Sequence, residues 1–334
     1  MWCKDCPTLQ YIFLSFPRRR ESNLFEHGCP TKYLGHDGKG KNLESLQQEA
    51  EFMKKFAVLQ LSGCAGCEMS LLEAGDWTQE YTLTHLPLII SSHDIPDVEV
   101  LLISGGVRTD EDLFNLRRSV KKAQQVVAVG TCAISGGVAS LGDREEVREL
   151  FAADESRRGV PRMLPKCHPV DTFVNVSFYL PGCPPTPELF MVALSGKADF
   201  KSNKIVCAEC GRKKVKEIRP QSLAGFSQGN VLSDICLIKQ GFLCIGSSTR
   251  NGCLAPCPRA GFPCVGCRGP SDTLMEKGKT AWLQSIQRIF ETLTDIPAEE
   301  VNKGLRSPQL SLFLFQFSDY DGTTRPIRPK EKMI

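Results

Sequence analysis

Sixteen cysteines in a chain of 334 residues narrow what it can fold into. A disulfide scaffold is the plainest use for so many thiols, but disulfides serve small secreted domains that cannot bury an adequate core. This chain is long enough for two compact domains or one large one. Its residues are 41% apolar, so a core is within reach without cross-links, and no signal peptide is evident. The cysteines therefore point to metal ligation in a reducing compartment.

Composition excludes other classes. Basic and acidic side chains number 41 and 38, for a net charge of +3. That balance leaves no electrostatic footprint for nucleic acid. No run of eighteen apolar residues marks a membrane span, and neither a G-x-G-x-x-G pattern nor a P-loop supports nucleotide binding. Residues 1–52 read as an extension, disordered or lying ahead of a true start at Met53. Arg18, Arg19 and Arg20 resemble a twin-arginine export signal, but such a signal needs an apolar stretch after the arginines. Here the one apolar run, Tyr11–Phe16, precedes them. Cys3, Cys6 and Cys29 are accordingly assigned no role.

From Met53 the pattern alternates strands and helices. "FAVLQLSG" (56–63), "PLIISS" (87–92), "VEVLLISGG" (98–106), "VVAVG" (126–130) and "SFYLPG" (177–182) read as strands. "EMSLLEAG" reads as a helix stopped by Gly75. Residues 109–125 predict an amphipathic helix with Leu113, Leu116, Val120 and Ala123 on one face and a capping box of Thr109 with Asp112. "TPELFMVALSG" predicts another, with Thr186 as cap, Pro187 at its first position and Gly196 past its end. Such alternation implies a parallel sheet covered on both faces. Ligands of such sheets sit beyond the carboxyl ends of the strands. Cys64 and Cys67, Cys132, and Cys183 all fall there, each after a strand. After about Lys201 periodicity fades into Gly- and Pro-rich, cysteine-dense segments, the texture of a loop-rich domain held by metal centres. "TAWLQSIQRIFETL" (280–293) predicts a packing helix, and the tail after it is uninformative.

Three groups of four cysteines emerge. Cys64, Cys67, Cys132 and Cys183 make the first, and four thiolates are the complement of a 4Fe–4S cluster. Glycines at 63, 66, 130 and 182 permit tight turns beside them. A redox CxxC pair leaves Cys132 and Cys183 unexplained. Structural zinc favours two close pairs over one pair and two singles. Cys207, Cys210, Cys236 and Cys244 form the second group; Cys253, Cys257, Cys264 and Cys267 the third. A zinc ribbon joining 207/210 to 264/267 would exceed the usual spacing of about fifteen to twenty residues and orphan four cysteines.

The ordered motifs "LSGCAGCEMSLL", "VGTCAISGG", "LPGCPPTPEL", "CAEC", "CLIKQGFLCIGSSTRNGC" and "PCVGCRGP" resemble the small subunit of nickel–iron hydrogenases, in particular the cytoplasmic methyl-viologen-reducing, deazaflavin-non-reducing group. The resemblance covers about residues 53–270. It implies a flavodoxin-like parallel-sheet domain over 53–200 with a proximal 4Fe–4S cluster, an iron–sulfur domain over 201–272, and a C-terminal helix and tail over 273–334. By the same resemblance the first cysteine group holds the proximal cluster, the second the distal and the third the medial, all three as 4Fe–4S. Exported relatives have histidine where this chain has Cys207, and often lack the equivalent of Cys257. The nickel–iron centre belongs to a separate large subunit. The implied downstream acceptor is a heterodisulfide-reductase-linked subunit or a ferredoxin, and the implied location is the cytoplasm. Two other readings stand beside this one: a quinone-reductase-type respiratory subunit, whose members carry adjacent cysteines at the first motif and no three-cluster tail, and a zinc-stabilised interaction protein.

Other residues carry weaker signals. Glu68 could relay protons beside the proximal site, but a first-turn acid favoured by the helix dipole is the simpler expectation. His85, His93 and His168 have no ligand spacing and read as surface or turn residues. Cys167 reads as a spare thiol. "RKKVK" (212–216) reads as a solvated loop able to receive an acidic partner. Arg250 is a candidate donor to the medial group.

Overall fold

A computed structural model describes residues 53–90, 94–143, 145–152, 159–196, 204–225, 231–232, 234–271, 273–274 and 279–305 of the chain. His93 and the cysteines of the N-terminal extension lie outside these residues.

The chain opens with strand β1 (Lys54–Gln60) and helix α1 (Gly66–Ala74), followed by β2 (Tyr81–His85), β3 (Val98–Ser104) and the short β4 (Val107–Thr109). Helix α2 (Asp110–Ser119), β5 (Ala123–Val129), α3 (Gly130–Ser135) and α4 (Glu145–Ala152) come next. Then follow β6 (Met163–His168), β7 (Phe178–Leu180) and α5 (Glu188–Ser195). The remainder holds two single-turn helices, α6 (Cys207–Cys210) and α7 (Pro256–Arg259), and the longer α8 (Lys279–Leu293) and α9 (Ala298–Leu305).

Five strands form one sheet in the order β2-β1-β3-β5-β7, with every neighbouring pair parallel. Numbered along the sheet's own strands, that is 2-1-3-4-5, the flavodoxin-like order, whose direction of winding reverses between β1 and β3. Period-two alternation explains the two cores. Phe56 and Val58 of β1 face α1 and α5 with Val100, Leu102, Val127 and Val129. Ala57 and Leu59 face the other way, with Leu101, Ile103, Val126 and Ala128, against Leu116 of α2 and Ala133 and Ile134 of α3. Both faces are covered, so the strands are nearly continuous apolar runs. A third core joins Val206, Leu237, Ile238, Phe242 and Ile245 to Ile286 and Phe290 of α8 and Val301 and Leu305 of α9.

The capping box is present: Asp112 N–H donates to Thr109 Oγ1 at 3.0 Å, and Thr109 N–H donates back to the Asp112 carboxylate at 2.9 Å. The helix ends earlier than its periodicity predicts, because Ala123 already belongs to β5. The expected strand "PLIISS" is a correction. Leu86–Ile90 is a turn, in which Ile89 and Ile90 both donate to the Leu86 carbonyl, and Leu88 and Ile89 are exposed. The strand at that edge is instead "YTLTH", where Tyr81 is buried against Phe56. Proline at 87 has no N–H to offer a ladder. Thr186 supplies only its carbonyl, to Leu189 N–H, and α5 begins after Pro187.

Candidate metal centres

The first cysteine group gathers at the carboxyl edge of the sheet. Beyond β1 the chain is pinned to β3: Leu61 N–H donates to the Ser104 carbonyl, and Ser62 and Gly106 exchange backbone hydrogen bonds. The Ser62 hydroxyl also donates to Asp112 at 2.8 Å, tying this turn to the start of α2. Ala65 then adopts a left-handed conformation (φ 61°) that launches α1, with Cys67 in its first turn and Cys64 exposed just before it. Cys132 lies in α3 directly after β5, and Cys183 in the turn after β7.

Gly130 shows how tightly these turns meet. Its φ is +80°, and a Cβ there would lie 2.4 Å from Cys67 Sγ. Gly130→Ala is expected to destabilise the chain by about 1–3 kcal/mol through this overlap and the disfavoured φ, and to lower iron loading by displacing Cys67. Denaturant midpoints and iron per chain check both effects.

Burial raises three thiols of this group. Cys67 sits well above the ordinary thiol range through burial first, then through Glu68, Cys132, Cys183 and Cys64. Burial pushes Cys183 up to about 12, with Cys132, Cys267 and Cys64 acting in the same direction. Cys132 is raised by burial, though N–H donors of Val138 and Ala139 offset part of this. Each of these three feels the charge of Cys64, and Cys67 and Cys183 feel that of Cys132 as well. Buried thiols of this kind stay protonated at neutral pH unless a cation displaces the proton, which is what ligation to iron or zinc does.

The second group lines one apolar-walled cavity. Cys207, Cys210, Cys236 and Cys244 face it alongside Leu237, Ile238, Ile289 and Leu293. The strip after α6 holds Cys236 in place, since Cys236 N–H donates to the Lys213 carbonyl at 2.8 Å. Burial raises Cys207 to about 11, with Lys214 pulling the other way, and raises Cys244 to about 12.

The third group lies between the other two. Cys253 is raised by burial and, to a lesser degree, by Cys257; Cys267, raised to about 11 by burial, feels Cys253 and Cys257. Cys264, well above the usual range through burial, feels Cys244 and Cys267. Two hydrogen-bonded ties join this group to its neighbours. The Thr131 hydroxyl, next to Cys132, lies 2.7 Å from the Cys267 carbonyl and 3.0 Å from that of Gly182, and the Cys267 charge raises the nearby Cys183 thiol. The Cys264 N–H donates to Cys244 Sγ at 3.3 Å.

The donor set suits iron–sulfur clusters. Each group offers four sulfurs, with Cys132, Cys244 and Cys264 buried. Among the described residues no three His, Cys, Asp or Glu donors converge tightly enough for a single metal ion. A four-iron cube makes no such demand, because each thiolate binds its own corner iron.

Other residues depart from expectation. Glu68 is no solvated first-turn acid; it is only 2% exposed. It accepts the Ser104 hydroxyl and faces a small cavity walled by Leu71, Leu102, Val129 and Phe190. Leu71 and Ala74, packed into the core from the same helix, turn it inward, and periodicity alone does not show that. His85 is buried at the end of β2, which lowers its pKa, and His168 packs edge-on against Phe173. Cys167 is buried behind Gly106, its thiol donating to the Gly136 carbonyl at 3.8 Å. In "RKKVK" Lys213, Lys214 and Lys216 are exposed. Arg212 is a tether, donating to the carbonyls of Pro258, Leu232 and Ile235.

Three residues escaped the sequence reading although each adjoins a cysteine. Glu209, inside "CAEC", accepts the N–H groups of Gly252 (2.8 Å) and Leu254 (3.0 Å) and the Asn251 side-chain amide (3.1 Å). It so braces the turn after Cys253, where Leu254 and Ala255 are left-handed. Thr131 precedes Cys132. Arg268 follows Cys267 and donates side-chain hydrogen bonds beside the third group. Adjacency to a ligand-type cysteine was the available signal.

Comparison with known proteins bears on these geometries. Residues 64–196 match the family described as NADH ubiquinone oxidoreductase, 20 Kd subunit. The G subunit of the vhu F420-non-reducing hydrogenase of Methanocaldococcus jannaschii is 34% identical over 263 residues, covering 73% of this chain and 91% of that protein. The G subunit of the F420-non-reducing hydrogenase of Methanothermobacter marburgensis is 30% identical over 276 residues, with 73% and 88% covered. The delta subunit of sulfhydrogenase 2 of Pyrococcus furiosus is 30% identical over 264 residues, with 76% and 98% covered.

Proposed function

The chain belongs to the family of F420-non-reducing hydrogenase G subunits, and from that premise we propose that it is the electron-transferring small subunit of a cytoplasmic nickel–iron hydrogenase. The assembly it serves is an oxidoreductase. Hydrogen chemistry belongs to the nickel–iron centre of a large subunit, and this chain carries charge away from it or towards it. Cys64, Cys67, Cys132 and Cys183 would hold the proximal 4Fe–4S cluster. Cys253, Cys257, Cys264 and Cys267 would hold the medial one, and Cys207, Cys210, Cys236 and Cys244 the distal one. When bound, such clusters supply one-electron steps at potentials that the protein sets over a range of roughly −700 to +450 mV.

One observation carries this reading: the three foursomes are chained together. The Thr131–Cys267 hydrogen bond, beside Cys132, joins the first group to the third, and a Cys264–Cys244 contact joins the third to the second. The chain's own residues keep the route dry, since Cys132, Cys244 and Cys264 are all buried. At one end, exposed Cys64 and Met69 (60% exposed) sit at the start of α1 and mark the expected large-subunit face. At the other, exposed Lys213 and Lys214 adjoin the distal group, suited to an acidic acceptor such as a ferredoxin or a heterodisulfide-reductase-linked subunit. No helix among the described residues is long and apolar enough to cross a membrane.

A respiratory quinone-reductase-type subunit draws support from the family match over 64–196. It leaves the eight cysteines from Cys207 onward without a purpose, whereas the hydrogenase relatives extend across most of this chain. Anaerobic purification followed by iron and acid-labile sulfide analysis separates the readings. The proposal expects about twelve irons per chain, as three four-iron clusters. Zinc without sulfide would favour the interaction protein. A colourless, sulfide-free chain even after reconstitution would end the electron-transfer reading.

A further inference from the structure

Arg268 is a buried cation set at the junction of two thiol groups. It is 4% exposed. Its Nη1 donates to the Pro181 carbonyl at 2.6 Å, two residues before Cys183. Its Nε donates to the Asn251 carbonyl at 2.9 Å, two residues before Cys253. Gly252, at φ +102°, leaves room for the guanidinium, because a Cβ there would lie 2.9 Å from Nη2. The side chain thus fastens the turn of the proximal set to the loop of the medial set while standing beside Cys253 and Cys267. Its acidic neighbour is Glu209, which already accepts three donors from the same loop.

A buried arginine cannot lose its proton under ordinary conditions. In a dry site its charge acts at close range with little screening. Each electron resting on the medial group adds one negative charge within reach of that cation. Neighbouring thiolates alone would repel the added electron.

Resting on the three-cluster reading above, we propose that Arg268 is a positioning and potential-setting residue, which raises the reduction potential of the medial cluster and so holds electrons midway between the proximal and distal clusters. Electron number is conserved: one electron arrives from the proximal side, and one leaves toward the distal side. The arginine keeps its protons throughout.

The test is a dithionite titration of the full chain, prepared anaerobically and followed by electron paramagnetic resonance. The medial signal is identified as the one lost in Cys253→Ala. Arg268→Met is expected to move the medial couple to a more negative potential by at least a tenfold change in electron sharing, about 59 mV for one electron. The proximal and distal couples should move less. Arg268→Lys keeps the charge and should stay within about threefold of the wild type, or roughly half that shift.

A medial couple unchanged in Arg268→Met overturns the inference. So does an Arg268→Lys shift as large as that of Arg268→Met, which would make shape rather than charge the cause. Should Arg268→Met lose medial iron, the lysine variant decides: wild-type loading and potential support the charge, and a displaced potential rejects it. A wild-type chain with no cluster signals would instead sink the underlying reading, and this inference with it. Wild-type signals with an unmoved medial couple would sink the Arg268 inference alone.

Discussion

Cys183→Ser is expected to remove about four irons per chain, leave the other two clusters in place, and lower hydrogen-dependent dye reduction in the assembled enzyme by roughly a hundredfold or more. The side chains are nearly isosteric, so the turn after β7 has no steric cause to change. What changes is chemistry: an alcohol gives up its proton far less readily than a thiol, and the thiolate is the metal ligand. The effect should stay local because the Thr131 ties to the Gly182 and Cys267 carbonyls, which hold this turn against the medial group, do not involve the Cys183 side chain. Iron and sulfide counts beside electron paramagnetic resonance spectra check the first part, and dye reduction under hydrogen the second. Intact spectra with unchanged turnover would remove Cys183 from the ligand set.

Phe56→Ala should be the most damaging change away from the cysteines, destabilising the chain by about 3–5 kcal/mol. Phe56 is completely buried at the centre of one core. It meets Trp77 edge-on at 5.2 Å between ring centroids and Tyr81 at 6.3 Å. Truncation leaves a void bounded by a sheet on one side and α1 and α5 on the other, where relaxation is hard. Folded domains hold only about 5–15 kcal/mol in total. The loss is therefore large enough to reduce soluble yield as well as the denaturant midpoint. A midpoint within error of the wild type, measured at matched iron content, would contradict this account of the core.

Much of this architecture was legible because it rests on local rules. β1, β3 and β5 announce themselves as apolar runs that must be buried on both faces. Thr109 and Asp112 announce the start of α2 at the right spacing. The turn-placed cysteines follow from the same pattern, since each succeeds a strand. "PLIISS" misled for a physical reason. An apolar run bounded by proline satisfies the composition of a strand, yet the edge position goes to the segment that pairs with β1 and buries Tyr81 beside Phe56. Glu68 misled likewise: helical position one turn from the cap favours an acid electrostatically, but which side of α1 meets the sheet is decided by Leu71 and Ala74 packing into the core. Buried His85 and the tether Arg212 were invisible because their partners are remote in sequence.

The sequence by itself determined the strand–helix order, the carboxyl-edge position of Cys64, Cys67, Cys132 and Cys183, and the division of twelve cysteines into three foursomes, because periodicity and spacing act over a few residues. Only the tertiary structure decided that Thr131 meets Cys267 and Cys264 meets Cys244, and that Arg268 spans the first of those junctions. Those contacts join segments as far apart as residues 181 and 268. They exist only once both sheet faces are covered and the loop-rich region has docked, since the apolar burial that brings such distant segments together has no direction and leaves no local mark on the chain.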